Sequence, residues 1–185
     1  MKRIVLGIVF FLLSLTFSIH PCFGLPAEDV QLVTDAQYFQ AARRMIQEAK
    51  SSIYVMMFEM GYYEEHPNSP SNLLIRELVD AKKRGVRVEV ILDLREEGDR
   101  TSKDNRRAGK VLAEGNVEVI YDPFFKTTHA KMMIIDEKLS LLGSTNWTYH
   151  ALTSNNEVSV LIRSREVARE LIDYFSRVKT TGSKD

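Results

Sequence analysis

The stretch from His129 to Asn146, H-A-K-M-M-I-I-D-E-K-L-S-L-L-G-S-T-N, leaves this chain few ways to fold. Met132–Ile135 is a continuous apolar strand, Asp136-Glu137-Lys138 supplies a tight polar turn, and Leu139–Leu142 returns as a second strand. His129 and Lys131 stand two residues apart at the hairpin entry, and strand side chains alternate faces, so both point the same way. Gly143-Ser144-Thr145-Asn146 leaves the second strand as a loop of small donors at the same end. An imidazole, an ammonium, a hydroxyl, an amide and backbone N–H groups therefore gather there. These are groups that grip a phosphate and attack it.

The spacing His129-x-Lys131-(x4)-Asp136-(x6)-Gly143-Ser144-x-Asn146 resembles the HKD signature of the phospholipase D superfamily at all six fixed positions. Six residue types at fixed spacing are far more specific than a lone glycine pattern. The resemblance covers nearly all of residues 28–179 and is to the small single-motif bacterial endonuclease branch. It implies an α/β fold, a phospholipase D-like mixed sheet sandwiched between helices. It also implies phosphodiester hydrolysis through a phosphohistidine, without a cofactor.

That reaction needs two motifs facing each other. Of His20, His66, His129 and His150, only His129 is followed two residues later by lysine. The resemblance therefore implies a homodimer with the active site at the two-fold interface, which places the same residue of both chains together. In that site one His129 is the nucleophile and the other the acid, while Lys131 and Asn146 clamp the phosphate oxygens and Ser144 adds a hydroxyl. Glu157, in N-N-E-V, stands where the family carries an acidic or amide partner for the histidine. Asp136 belongs to the motif, but its place in a turn points to structural hydrogen bonding rather than acid–base work. No H-E-x-x-H or paired-aspartate pattern offers a metal site, so lysines and a protonated histidine are expected to supply the positive charge.

Apolar periodicity places the remaining elements. A strand at Val30–Val33 precedes a helix from about Ala36 to Ala49, capped by Thr34-Asp35, with Phe39, Ala42, Ile46 and Ala49 inward. Ser52–Phe58 and Val86–Leu92 read as strands buried on both faces, joined by a polar loop, Gly61 to Ser69, and a helix, Asn72–Arg84. The charged segment Leu94–Gly109 begins as loop and runs into a helix reaching Ala113, before a strand at Val117–Tyr121. Trp147–Thr153 is a turn or short helix, Glu157–Ile162 a strand, and Ser164 caps a last helix with Val167, Leu171, Tyr174 and Phe175 inward. The tail Thr180–Asp185 is expected to fray. Strand–helix alternation followed by a hairpin indicates a layered α/β domain with a mixed sheet.

Residues 1–24 read as a secretory signal peptide: Met1-Lys2-Arg3, an apolar run from Ile4 to Phe17, then turn-forming residues to Gly24. The alternative is a retained membrane anchor through residues 4–19, although the run is shorter than the ~20 residues that span a bilayer. The expectation is an exported, periplasmic or secreted protein whose single catalytic domain is residues 25–185. The whole chain carries 25 basic and 25 acidic residues; without Lys2 and Arg3 the balance is 23 against 25. Nucleic acid must then be held by a local patch, not by bulk charge. Arg95, Arg100, Lys103, Arg106, Arg107 and Lys110 form one, nearly balanced by Glu96, Glu97, Asp99 and Asp104. Phe124, Phe125, Trp147 and Tyr149 flank the motif as base-stacking or core aromatics. The sole cysteine, Cys22, lies in the leader, which leaves no disulfide and no thiolate site.

A sequence-nonspecific endonuclease acting on DNA or RNA is therefore the first reading. A phospholipase D that removes phospholipid head groups is the second, and a non-catalytic nucleic-acid-binding module the third.

Overall fold

Strand and helix alternate through most of the computed structural model, which describes residues 24–96, 98–123 and 125–184. The apolar run of the expected leader lies outside the described residues, as do Glu97 and Phe124. The strands are β1 (Asp29–Thr34), β2 (Ser52–Met57), β3 (Arg87–Leu92), β4 (Glu118–Tyr121), β5 (Lys131–Ile135), β6 (Leu139–Gly143) and β7 (Val158–Arg163). The helices are α1 (Gln37–Glu48), α2 (Pro70–Lys83), α3 (Arg100–Glu114), α4 (Tyr149–Thr153) and α5 (Arg165–Lys179).

The strands form one sheet in the order β1-β7-β6-β5-β2-β3-β4. Pairing is antiparallel from β1 through to β2 and parallel across β2, β3 and β4. Parallel neighbours need crossovers, and α2 and α3 provide them; a consistent right-handed sense puts both helices on one face. This is the mixed α/β sheet expected from the sequence.

Strand alternation sorts the core into two layers. Ile53, Val55 and Met57 face the cluster shared with α1, α2 and α3, while Tyr54 and Met56 face α5. All six residues of β2 are buried, as its unbroken apolar run requires. Trp147 is fully buried on the first side, where its indole N–H donates to the Tyr38 hydroxyl at 3.1 Å. Of the aromatics flanking the motif, Trp147 is thus a core residue, whereas Phe125 and Tyr149 are exposed.

Three local expectations are corrected. Asp35 does not cap α1: it adopts a left-handed φ of 51° and its carboxylate accepts from the Glu157 N–H at 2.9 Å. On α1 the expected Ala42, Ile46 and Ala49 are buried and Phe39 packs half-buried on the same core, which Tyr38 and Met45 join. In α5 the fully buried residues are Ala168 and Phe175, while Tyr174 is exposed. The tail does not simply fray either. Ser183 exchanges backbone hydrogen bonds with Tyr121 at 2.8 and 2.9 Å and so covers the open edge of β4.

The two faces of the sheet are covered unequally. Among the described residues, helices α1 to α4 lie over one and α5 alone over the other. On the α5 side, the β1–β7 edge keeps Val30, Leu32 and Val158 at 58%, 72% and 55% exposure, in register with half-buried Ile162 and Val160. This apolar strip reaches the sheet edge beside Glu157.

Candidate active site

Backbone direction fixes where the motif gathers. The C-terminal ends of β2, β3 and β6 and the N-terminal ends of β5 and β7 all lie on one edge of the sheet. This is also where the sheet changes character, because β2 is antiparallel to β5 and parallel to β3. Such switch points open a crevice beyond the strand ends.

His129 enters this edge from the loop before β5. Its exposed ring packs on Phe58, with centroids 4.5 Å apart at 57°. Partial desolvation lowers the imidazole pKa below its ordinary 6.5, and the charges of Lys131 and Arg95 lower it further. The ring therefore favours its neutral, nucleophilic form. Lys131, two residues on, is 7% exposed, and its ammonium donates to the His129 carbonyl at 2.7 Å and lies 4.8 Å from the Phe58 centroid. Burial lowers its pKa too, opposed by the carboxylates of Glu157, Asp93 and Glu59.

The loop after β6 supplies the amide. Gly143 sits so close to β7 that a Cβ there would collide with the Val158 carbonyl and Ser159, which explains a glycine at this point of the motif. The Ser144 hydroxyl donates to Glu157 and accepts from the Val158 N–H at 3.1 Å. Asn146 has a buried side-chain oxygen without a hydrogen-bond partner among the described residues, an exception that a ligand with a donor group would explain.

Glu157 is tied to the loop after β6. Within one chain it accepts from Ser144 and from the Asn155 amide at 3.2 Å, and no hydrogen bond joins it to His129 among the described residues. Asp136 lies at the opposite end of β5, roughly 20 Å away by strand rise. It accepts from the backbone N–H groups of Lys50, Ser51 and Ser52 at 2.9, 2.7 and 3.0 Å, and from the Ser51 hydroxyl at 2.8 Å. Burial would raise its pKa, but these donors outweigh burial and hold it below 3.8.

Sequence reasoning missed a buried polar hub beneath His129. Asp93, fully buried at the end of β3, accepts from the Thr128 N–H at 2.7 Å, while the Thr128 hydroxyl donates to buried Asp122. The other Asp93 oxygen is unpartnered. Desolvation raises the Asp93 pKa from 3.8 to about 6; the Thr128 N–H opposes the rise and the nearby Asp122 charge adds to it. Asn105 of α3 ties the hub together, accepting from the Met60 N–H at 2.7 Å and donating to the carbonyls of Phe58 and Asp93 at 2.8 Å each. A charged residue ending a buried apolar run was the available signal.

The basic patch is dispersed. Arg95 reaches the site, with its guanidinium 6.0 Å from the Phe58 centroid. Arg100 pairs with Glu59 and Arg107 with Asp104, each at 3.2 Å, and Arg106 lies over Tyr121. Among the described residues, no three His, Cys, Asp or Glu side chains gather as a metal cluster, and no helix is long and apolar enough to cross a membrane.

With this geometry in hand, comparison with known proteins settles the lineage. Residues 42–179 match the family described as "Cardiolipin synthase, PLD-like domain". The chain belongs to the phospholipase D superfamily. Nuc from Salmonella typhimurium, a phospholipase D family member, superposes with a TM-score of 0.71 at 26% identity, over 84% of this chain and 96% of that one. Phospholipase D of Rickettsia prowazekii is 28% identical over 167 residues, 90% of this chain and 70% of its own length. Mitochondrial cardiolipin hydrolase of Mus musculus is 32% identical over 95 residues, 51% of this chain and 41% of its own length. Superfamily membership makes the chain a phosphodiesterase by type.

Proposed function

We propose that this protein is a metal-independent, sequence-nonspecific endonuclease that cuts DNA or RNA phosphodiester bonds as a homodimer. The observation that carries the reading is the half-site: one His129, one Lys131 and one Asn146 at a sheet edge, bordered by an apolar strip that no other described residue covers. A second copy packed on that strip brings a second set of the same residues to the two-fold axis.

In the dimer, an imidazole nitrogen of one His129 bonds phosphorus as the bond to the leaving oxygen breaks. His129 of the partner subunit gives that oxygen its proton. It then takes a proton from water, whose oxygen bonds phosphorus as the P–N bond breaks. Two easier displacements replace one hard one. Lys131 and Asn146 stabilise charge on the nonbridging oxygens, and Ser144 and Glu157 position the Asn146 loop. Residues 25–185 act as the catalytic domain, with residues 1–24 directing export.

A lipid-hydrolysing reading is favoured by the names of the Rickettsia and mouse relatives, and by the apolar strip if it meets a membrane rather than a second copy. Purified protein in EDTA, offered plasmid, single-stranded nucleic acid and phosphatidylcholine vesicles, separates the two. Cleavage of nucleic acid alone is expected, and hydrolysis of lipid alone overturns the nuclease assignment. For the dimer, sedimentation of Leu32→Glu should give a monomer that has lost turnover; a fully active monomer excludes the shared site.

A further inference from the structure

Beside the half-site, a cleft of about 990 Å³ runs from Asn146 between the loop before α2 and helix α4, lined by Tyr63, His66, Arg100, Asn146, Tyr149 and His150. His129 and Lys131 lie outside it, so the cleft adjoins the phosphate position without containing it. Its volume lies at the top of the ~300–1,000 Å³ range of pockets that enclose an organic group.

The walls are fixed before any ligand arrives. Asn72 is 1% exposed and holds the loop, accepting from the Tyr63 N–H at 3.0 Å and donating to the Tyr63 and His66 carbonyls at 2.8 and 3.2 Å. The Tyr63 hydroxyl accepts from the Tyr149 N–H at 3.1 Å, which ties the loop to α4. The Ser71 hydroxyl donates to the Trp147 carbonyl at 2.7 Å and locks the segment entering that helix.

The chemistry of the lining selects the occupant. Pro67, Pro70 and Ala151 are the aliphatic side chains among the described lining residues, with no leucine, isoleucine, valine, methionine or phenylalanine, which is little wall for an acyl chain. Arg100 is neutralised by Glu59 at 3.2 Å, which leaves no strong attraction for a second phosphate. The lining also carries the carboxylates of Glu59, Glu65 and Asp104, the first and last of them paired with Arg100 and Arg107; beside these stand aromatic faces, Tyr149 being 49% exposed, and the amides of Asn68, Asn146 and Asn155. The buried Asn146 oxygen at the mouth lacks a donor. Faces for stacking and amides for edge hydrogen bonds match an unpaired nucleobase.

We infer that this cleft holds the nucleoside next to the scissile phosphate, with its base against Tyr149, and that the enzyme therefore acts on single-stranded nucleic acid. The inference rests on the nuclease reading above and deepens it. A base still paired in a duplex cannot enter the cleft without being unstacked and turned out, which costs free energy that a single strand does not owe.

The test compares one oligonucleotide, single-stranded and as a duplex, with bis(p-nitrophenyl) phosphate, which exercises the chemistry without filling the cleft. Wild-type protein should cleave the single strand at least about tenfold faster than the duplex. Tyr149→Ala should lower kcat/KM on the single strand about tenfold, mainly through KM, and leave the small diester unchanged. Tyr149→Phe, which keeps the ring, should restore the loss. Equal cleavage of both oligonucleotides, unaffected by Tyr149→Ala, overturns the cleft assignment while leaving the nuclease standing. Hydrolysis of the small diester with no cleavage of either oligonucleotide overturns both. If Tyr149→Ala impairs only phosphatidylcholine hydrolysis, the cleft is a head-group site and the inference fails.

Discussion

At its far end the β5–β6 hairpin presents Asp136, whose carboxylate is surrounded by four donors and held below its ordinary pKa. At its near end it presents Lys131 and Asn146, one ammonium whose pKa burial lowers and one amide oxygen with no donor among the described residues. The two ends of this strand pair, Lys131 and Asp136 being four apolar residues apart, treat their polar groups in opposite ways. Satisfied groups lock a turn in which Asp136 and Glu137 both take left-handed φ values, 52° and 53°. At the other end the Lys131 ammonium already donates to the His129 carbonyl, while the Asn146 oxygen, without a partner among the described residues, leaves free energy to be recovered when a donor arrives. The difference says which motif positions build the hairpin and which await a substrate.

The comparison breaks most visibly at His129. His129→Ala should reduce turnover at least a thousandfold, as loss of a covalent nucleophile does, with the melting temperature unchanged because the ring is exposed. Retained activity would move the nucleophile elsewhere. Lys131→Met keeps the buried stem and removes the charge; a loss of about a hundredfold in kcat is expected, measured on a small diester so that binding does not obscure it.

At the far end the effect should change kind. Asp136→Ala strands the N–H groups of Lys50, Ser51 and Ser52, costing on the order of 2–3 kcal/mol by urea unfolding at neutral pH. Turnover per folded molecule should change little. Because the folded Asp136 pKa lies below the unfolded value of 3.8, its stabilisation is present above that value and vanishes as pH falls through the folded pKa. The gap between wild type and variant should therefore close in strong acid.

Asp93→Asn should give the smallest effect, and of opposite sign. Asp93 is raised from 3.8 to about 6, so its contribution is most favourable below pH 3.8 and declines as pH rises through 6. The amide keeps an acceptor for the Thr128 N–H and carries no charge. A Tm gain of roughly 2–4 °C is expected at pH 8, disappearing at pH 4. A gain that persists at pH 4 would show that charge burial is not its source.

Much of this architecture was written locally. The hairpin, its turn and the spacing of His129, Lys131 and Asn146 are set within eighteen residues, so alternation and turn chemistry suffice to read them. β2 announces itself because it carries apolar residues on both faces, whereas β3 does so only toward its C-terminal end, Arg87 being exposed and Glu89 half-buried on one face. What escaped depends on partners distant in sequence. Asn105 meets Met60 across 45 positions, Asp93 meets Thr128 across 35, and Asp35 meets Glu157 across 122. Asp35 had an equally plausible local use as a helix cap, and the tertiary hydrogen bond won. Glu157 likewise bonds within its own chain to Ser144, a pairing that its place in the motif did not suggest.

The carboxylate of Asp93, fully buried with one oxygen facing no donor, sets robustness against position in a single side chain. Laboratory selection for heat resistance alone should discard it early, since a neutral amide fits the same space. Selection that also demands turnover should retain it if the segment carrying His129 must be held in place. The residue that survives such a contest would measure, at this one position, how far stability is exchanged for catalytic alignment.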